Sequence, residues 1–403
     1  MAIPAFDPKE LEIVGEQKTF TGTVPIYNFP VPRREAFIAA IRDRKPIWQL
    51  TGIEHKHFMP RLYPDNVARA LVSEVKPFDN LTPGGGKDIF GIQWDYVPVA
   101  MGSMERPGPR LLEDANDWED KIVWPDIDSW DWAGSAEENK PFFETDQAVG
   151  TWFQNGWFER LISFMGFEGA AMALIDEDQQ EAVLALFDRL ADCYISIIDR
   201  FLEYFPGIDF FYMHDDWGSQ RETFFSPDVV KEMIVPSMRK VTDHIHSLGR
   251  IAELHSCGQI MKQVPNMIAA GWDTWSGQSM NDSVALYEQY GDKIVLGVMP
   301  PEFDKDNTTE EEQRALAREF AVKFLFAVNE AAAIYRHIAS AKGEGNFVTE
   351  VSMDEVDQPQ TPLDLLFILK GLADMQVPVQ TIAPKFTGRF NKGVDYEGEP
   401  DRF

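Results

Sequence analysis

The sequence predicts a (β/α)8 barrel, an α/β fold in which eight parallel strands alternate with helices. Short β-prone runs alternate with longer helical patterns, and this alternation indicates parallel β/α units. A chain of 403 residues is within the range of a single barrel domain. Eight is also the number of strands that closes a barrel. The predicted strands are 46–52, a run within 90–100, 148–153, 208–213, 250–254, 272–276, 293–298 and 347–352.

The helices between these strands are predicted from apolar residues at helical spacing and from signals at the helix ends. For example, the helix over 226–249 starts with Ser226-Pro227-Asp228, a capping serine followed by a proline in the first turn. The predicted helices are 33–44, 156–173, 178–204, 226–249, 260–270, 282–290, 308–332 and 362–374.

Two segments interrupt this alternation. Residues 1–32 are mixed in composition and predict an N-terminal arm, whereas residues 84–141 are rich in Gly, Pro, Trp and Asp. We expect the second segment to be an irregular insertion after the first strand, and insertions of this length are usually functional lids. The predicted organisation is one barrel domain over 33–390, which includes the insertion, and a C-terminal tail over 391–403.

The charge and the cysteine content exclude several classes of protein. The formal net charge is −29 and the pI is about 4.6, which disfavours binding to nucleic acids and to anionic membranes. Two cysteines cannot form a disulfide framework, and no apolar run approaches the roughly 18 residues of a membrane span. The N-terminus lacks the pattern of a signal peptide. We therefore expect a cytoplasmic protein, and we leave open whether it is a homodimer.

The sharpest chemical signal is the pair His255 and Cys257 at the end of a predicted central strand. Barrel enzymes carry their active sites at the carboxyl ends of the strands. Two residues apart on extended backbone, both side chains point to the same side, and an imidazole beside a thiolate is half of a zinc site. The alternative is a small buried cysteine beside a core histidine, and the spacing alone does not separate the two.

Other strand ends carry further candidates. His214, Asp215 and Asp216 follow an apolar strand, and one of the two carboxylates could act as an acid, a base or a partner of His255. A helix cap or a salt bridge is the alternative for these carboxylates. The candidates for substrate contacts are His55, His57, Gln154 and Gln278.

Several longer motifs resemble a known family. They are DFFYMHDDWGSQ (209–220), FFSPDVVKEMIVPSMRKV (224–241), IAELHSCGQI (251–260), YGDKIVLGVM (290–299) and TPLDLL (361–366). These segments resemble the uroporphyrinogen decarboxylase superfamily. With PIWQL (46–50) and FMGFEGA (164–170), the likeness covers about three quarters of the chain in the expected order. The resemblance implies a barrel fold.

Within this superfamily, the resemblance favours the cobalamin-dependent methyltransferases. True uroporphyrinogen decarboxylases carry an Arg-Gln-Ala-Gly-Arg segment after the first strand, and residues 49–55 here read QLTGIEH, without an arginine clamp for carboxylates. The methyltransferases bind zinc through a His-x-Cys pair, matched by His255 and Cys257, and through a later cysteine whose place aligns best with Glu355. The alternatives for this third ligand are Glu350, Asp354 and Asp357.

The resemblance therefore implies a zinc-dependent methyltransferase of the O-demethylase type. It would move a methyl group between a small, methoxylated aromatic substrate and a separate corrinoid protein, and Zn²⁺ with three protein ligands would keep one open position. Two alternatives stay open: a metal-independent decarboxylase or lyase that uses Asp215 or Asp216, and a non-catalytic barrel that binds corrinoid proteins.

Overall fold

The computed structural model describes residues 6–19, 22–79, 85–97, 102–298, 318, 320–353 and 359–388. The chain divides into two compact units, Met1–Asn307 and Thr308–Phe403. Among the described residues, no helix combines the length and the apolar character that crossing a membrane requires.

The first unit is built on a parallel β-sheet. Its strands are β1 (Ile13–Thr19), β2 (Gly22–Tyr27), β3 (His55–His57), β4 (Gly85–Lys87), β5 (Gln93–Val97), β6 (Gly102–Glu105), β7 (Ala148–Phe153), β8 (Phe210–His214), β9 (Ile251–His255), β10 (Thr274–Gly277) and β11 (Val295–Val298). Six of them form one sheet in the order β3-β7-β8-β9-β10-β11, which is also their order along the chain. All neighbouring strands of this sheet are parallel.

Along the chain, the α-helices of this unit, singly or in pairs, alternate with strands or groups of strands. They are α1 (Arg33–Ile41), α2 (Pro64–Ala68), α3 (Trp118–Lys121), α4 (Trp132–Asn139), α5 (Trp157–Ala173), α6 (Gln180–Tyr204), α7 (Pro227–Val229), α8 (Val235–Ser247), α9 (Val264–Ala269) and α10 (Ser283–Tyr290). A π-helical turn over Val230–Ile234 joins α7 to α8. Ser226 caps this segment, because its side chain accepts a hydrogen bond from the Val229 N–H group, as the sequence predicts.

Side chains alternate between the two faces of the sheet, and the two faces have different neighbours. One face belongs to the large core that includes Phe153 of β7, Leu254 of β9 and Ile197 of α6. On the other face, Phe210 of β8 packs with Phe37 of α1. We call this second face the inner face, and it carries the site described below.

The predicted alternation of strands and helices is confirmed, and five of the predicted strands lie in one parallel sheet. The predicted strands at 148–153, 208–213, 250–254, 272–276 and 293–298 correspond to β7 through β11. Six strands form this sheet in the described part of the chain, so the structure is a mixed α/β protein with a parallel sheet of at least six strands. A closed barrel of eight strands stays a prediction.

The predicted first strand over 46–52 is wrong. The buried Glu54 carboxylate accepts hydrogen bonds from the backbone N–H groups of Thr51 and Gly52, both at 3.0 Å. Because a side chain takes these backbone donors, the segment forms a turn, and pairing with β7 begins only at His55.

The strand predicted within 90–100 also has a different place. It is β5, which pairs in antiparallel fashion with β4 and β6, so it is absent from the parallel sheet. The insertion therefore holds a small sheet of its own. The N-terminal arm likewise contains an antiparallel pair, β1 and β2.

The second unit contains a pair of parallel strands and two α-helices among its described residues. The strands are β12 (Glu350–Ser352) and β13 (Thr381–Ala383), and the helices are α11 (Phe326–Lys342) and α12 (Pro362–Asp374). Its core includes Val328 and Ala332 of α11 with Ile368 and Leu372 of α12.

Three predictions fall in this unit. The strand predicted at 347–352 is β12, but it pairs with β13 and not with a strand of the six-stranded sheet. The helix predicted at 362–374 matches α12. The start of the helix predicted at 308–332 and the tail over 391–403 lie outside the described residues.

Candidate metal centre

The carboxyl ends of β8 and β9 bring two histidines together. These parallel strands pair Tyr212 with Glu253 and His214 with His255. Because paired residues of neighbouring strands project from the same face of a sheet, the two imidazoles lie side by side. Their rings stack with centroids 5.3 Å apart and an interplanar angle of 12°.

Asp216 adds a carboxylate to the two histidines. Its Oδ1 atom lies 3.5 Å from His214 Nε2, and one ligand atom from each of His214, Asp216 and His255 lies within 4.8 Å of the others. In the described part of the chain, this is the one group of three such side chains with metal-binding geometry. Two imidazoles and one carboxylate are a common donor set for divalent transition metals. We call these three residues the metal group.

A hydrogen bond fixes the orientation of the His214 ring. Its Nδ1 atom lies 3.0 Å from the carbonyl oxygen of Gln154. A carbonyl oxygen can only accept a hydrogen bond, so Nδ1 carries a hydrogen, and Nε2 is the ring nitrogen that faces Asp216. Metal-binding histidines are typically held in this way by a second hydrogen bond.

The charges in the metal group also suit a cation. Burial, with a contribution from His214, lowers the pKa of His255 to about 4, so this imidazole is neutral at pH 7. Burial disfavours the charged forms of Asp216 and His214. However, their mutual attraction and hydrogen bond outweigh burial, so the pKa of Asp216 is lowered and the pKa of His214 is raised. A bound metal ion would take the place of the proton on His214.

Cys257 lies beside the metal group, on the turn that follows β9. Its Sγ atom is 3.2 Å from His255 Nε2, and its backbone N–H group donates a 2.7 Å hydrogen bond to Asp216 Oδ1. The structure therefore places His255 and Cys257 next to each other, as their spacing predicts. The thiol is a further potential donor at this position.

The turn after β9 depends on a glycine. Gly258 has a φ of 96°, and a Cβ atom there would lie 2.4 Å from the backbone carbonyl carbon and oxygen of Gly218.

Two hydrogen bonds also hold the turn after β9. The Gly258 N–H group donates to Gln278 Oε1 at 2.7 Å, and Ser256 Oγ accepts from the Trp217 N–H group at 3.0 Å. Gln278, a predicted substrate contact, thus holds the turn, and it also lines a cavity of about 230 Å³ beside β10 and β11.

The Asp215 carboxylate has different hydrogen-bond partners from the Asp216 carboxylate. It is fully buried, and its carboxylate accepts hydrogen bonds from the Glu159 N–H group in the first turn of α5 and from the Trp217 indole, both at 2.9 Å. Burial raises the pKa of Asp215 to about 7 despite these bonds. Its carboxylate therefore caps α5, and of the two adjacent acids only Asp216 belongs to the metal group.

His55 and His57, two predicted substrate contacts, lie within β3. The Trp152 indole donates a 2.6 Å hydrogen bond to His57 Nδ1, and burial lowers the pKa of both histidines. The His57 ring contacts the ring of Tyr212 at 5.5 Å, and Tyr212 in turn stacks on His255 at 5.9 Å. These aromatic contacts place His57 on the inner face together with the metal group.

The remaining predicted residues have different surroundings. The Gln154 side chain is 1 % exposed and donates to Asn66 Oδ1 at 3.1 Å, so its contribution to the site is the carbonyl oxygen that holds His214. Glu350 is exposed on β12 and accepts a hydrogen bond from the Thr381 hydroxyl. Outside the described residues lie Asp354, Glu355 and Asp357.

Sequence reasoning missed a buried acid on the inner face. Glu253 precedes His255 by two residues on β9, so both point to the same side. Burial raises the pKa of Glu253 to about 8, although a hydrogen bond with Ser276 lowers it. The signal for this residue is an acid in alternation with His255 inside an otherwise apolar strand.

The chain is similar to known enzymes over parts of its length. The model of the tagaturonate epimerase family (UxaE) matches residues 242–403, less than half of the chain. The tagaturonate/fructuronate epimerase of Thermotoga maritima is 28% identical over 117 residues, which are 29% of this chain and 21% of that protein. The matched stretch is thus about a fifth of the length of this relative.

A solved structure is also similar. A methyltransferase from Methanosarcina mazei matches with a TM-score of 0.46 and 12% sequence identity, covering 88% of this chain and 93% of that chain. The names of these three matches do not include the uroporphyrinogen decarboxylase superfamily. Membership of that superfamily therefore stays a prediction.

Proposed function

We propose that this protein is a metal-dependent epimerase that acts on a keto sugar acid. The observation that carries the proposal is the metal group, in which His214, Asp216 and His255 offer ligand atoms within 4.8 Å of one another. The match of residues 242–403 to the tagaturonate epimerase family supports the reaction class and the substrate class, because tagaturonate is a keto sugar acid.

The chemistry of such an epimerisation suits this donor set. Tagaturonate and fructuronate differ at the carbon two bonds from the ketone carbon, so an enolate forms by reversible cleavage of the bond between this carbon and its neighbour beside the ketone. The hydroxyl group on the inverting carbon loses its proton and becomes an aldehyde, while the electron pair of the broken bond forms the enolate. Addition of the enolate to the opposite face of the aldehyde re-forms the bond with inversion. A divalent cation held by the metal group would act as a Lewis acid that stabilises the negative charge on the enolate oxygen. Two imidazoles and one carboxylate leave positions open for substrate oxygens.

The chain's own residues position these ligands. The Gln154 carbonyl oxygen holds His214, and the Cys257 N–H group holds Asp216. The side chains of His214 and Asp216 are 12% and 24% exposed, so the group can be reached from solvent. Cys257 Sγ, 3.2 Å from His255 Nε2, lies next to the ligands and is a candidate to exchange a proton with the substrate.

The test is the interconversion of tagaturonate and fructuronate by the purified protein, before and after removal of metal with a chelator. We expect activity to depend on a divalent cation, and His255→Ala and Asp216→Ala to lose bound metal and roughly 100-fold or more in kcat/KM. The matched control is His244→Ala, which removes a helical histidine paired with Asp199 and leaves both properties unchanged. Full activity of the metal-free protein would overturn the proposal.

A second candidate function rests on the adjacency of His255 and Cys257. These two residues suit the zinc ligands of a corrinoid-dependent methyltransferase, with Glu355 as the third ligand, a small methoxylated aromatic compound as the substrate and a separate corrinoid protein as the partner. Methyl transfer from such a substrate to an added corrinoid protein, followed by the absorbance of the cobalt centre, tests this function. In this case His214→Ala would keep its zinc, whereas the epimerase proposal expects the metal to be lost.

A further inference from the structure

A largely buried ion pair lies at the carboxyl end of β7. Arg69 directly follows α2, and its Nη1 atom donates hydrogen bonds to Glu159 Oε2 at 3.2 Å and to Asn155 Oδ1 at 3.1 Å. The side chains of Arg69 and Glu159 are 17% and 15% exposed. The pair is therefore at the border between the interior and the solvent.

The segment that carries the partners of Arg69 also holds His214. The Gln154 carbonyl oxygen accepts from His214 Nδ1, and the Gly156 N–H group donates to the His214 carbonyl oxygen at 2.7 Å. The same three-residue segment, 154–156, therefore holds both Arg69 and His214 by hydrogen bonds.

Several contacts hold Arg69 in one position. Its guanidinium group lies 4.9 Å above the ring of Trp94, which is 2% exposed. Asn155 is fully buried and bridges Arg69 to Asp65, because its Nδ2 atom donates to Asp65 Oδ2 at 3.3 Å. A guanidinium group that is already ordered loses little further entropy when it binds an anion.

The Nε and Nη2 groups of Arg69 make no hydrogen bond with the described residues. A guanidinium group carries five N–H donors, and both hydrogen bonds from Arg69 to described residues use Nη1. By contrast, Arg106 on the insertion uses both Nε and Nη2 for Asp95. A planar carboxylate fits the Nε and Nη2 edge of a guanidinium group as a bidentate ligand.

We infer that Arg69 binds the carboxylate of the substrate, while the oxygens near the reacting carbon of the same molecule lie at the metal group. The inference rests on the proposed function and names its substrate class, keto sugar acids. It also gives an anionic substrate a direct bidentate partner in a protein with a net charge of −29.

The test compares two substrates that differ in the carboxylate. Tagaturonate carries this group, and the ketose tagatose lacks it. We expect Arg69→Gln to lower kcat/KM for tagaturonate by roughly 100-fold, mainly through KM, and to leave kcat/KM for tagatose within about threefold. Arg106→Gln is the matched control and changes neither. An equal loss for both substrates, or no loss for tagaturonate, would overturn the inference.

A second variant distinguishes loss of substrate binding from a folding defect. Arg69→Lys keeps the charge beside Glu159 but lacks the planar fork, and we expect about a tenfold loss for tagaturonate alone. Metal content and Tm equal to those of the unmodified protein show that either variant is folded.

The inference can fail separately from the proposed function. If the unmodified protein epimerises neither substrate, the proposed function fails, and calorimetric binding of tagaturonate to the metal-loaded protein then tests Arg69 alone. Affinity that falls at least tenfold in Arg69→Lys or Arg69→Gln supports the inference. Unchanged affinity, or no binding by the unmodified protein, overturns it.

Discussion

The imidazole rings of His214 and His255 stack 5.3 Å apart because β8 and β9 pair these two residues directly. A shift of one residue in this register would turn one of the rings to the opposite face of the sheet. The metal group therefore depends on strand pairing between segments that are about 40 residues apart in the chain.

The turn after β9 predicts a stability effect at Gly258. Gly258→Ala would place a Cβ atom 2.4 Å from the backbone of Gly218 at a φ of 96°, so we expect a loss of about 2–4 kcal/mol in the free energy of unfolding and weaker metal binding. Gly249→Ala is the matched control, since its φ is 69° and no atom lies within 4 Å of the added Cβ. It should cost only about 1 kcal/mol. Equal losses in denaturant titrations of the two variants would contradict this account of the turn.

The role of Cys257 separates the two candidate functions. If His214, Asp216 and His255 hold the metal, Cys257→Ala keeps its metal content while epimerase activity falls. If His255 and Cys257 are zinc ligands, the same variant loses zinc. Cys193→Ala is the control for loss of a thiol, because Cys193 is buried in the core. Metal analysis by mass spectrometry gives the answer.

A buried arginine between two acids predicts a large loss of stability. Arg160 is fully buried and pairs with Asp65 and Asp88, and burial raises the pKa of Asp88. We expect Arg160→Met to leave two uncompensated carboxylates and to lower the free energy of unfolding by about 3–5 kcal/mol. Arg106→Met, which removes an exposed ion pair with Asp95, should change stability little. Similar midpoints of thermal unfolding for both variants would argue against the buried network.

The pair His246 and Asp273 predicts a pH dependence. A hydrogen bond from His246 to Asp273 raises the pKa of His246 above 6.5, and Asp273 also accepts from the Ala252 N–H group at the start of β9. A raised histidine pKa contributes stability that is complete below pH 6.5 and is lost as pH rises through the folded-state pKa. Because the pair is partly exposed, we expect a contribution below about 1 kcal/mol.

This contribution can be measured as the difference in unfolding free energy between His246→Gln and the unmodified protein. The difference should be largest at pH 5.5 and should shrink by pH 8.5. A difference that is independent of pH would show that His246 acts by packing alone.

Much of the sheet follows from local patterns. The runs at 148–153, 208–213 and 250–254 are apolar over a strand's length and are each followed by a helical pattern, and all three are strands of the parallel sheet. The run at 46–52 has a similar composition, but Glu54 takes its backbone donors. A hydrogen bond between a buried side chain and nearby backbone is not visible in hydrophobic periodicity, so this strand was misplaced.

For the candidate site, too, some features follow from local sequence and others only from the tertiary structure. The sequence by itself determined that His255 and Cys257 share a side, because side chains two residues apart on extended backbone point the same way. It also located His214, Asp215 and Asp216 at a strand end. Only the tertiary structure decided that Asp216 joins the histidines while Asp215 caps α5, and that Arg69 and His214 are held by the same segment, 154–156. Those relationships depend on strand register and on contacts between distant segments, which spacing along the chain does not encode.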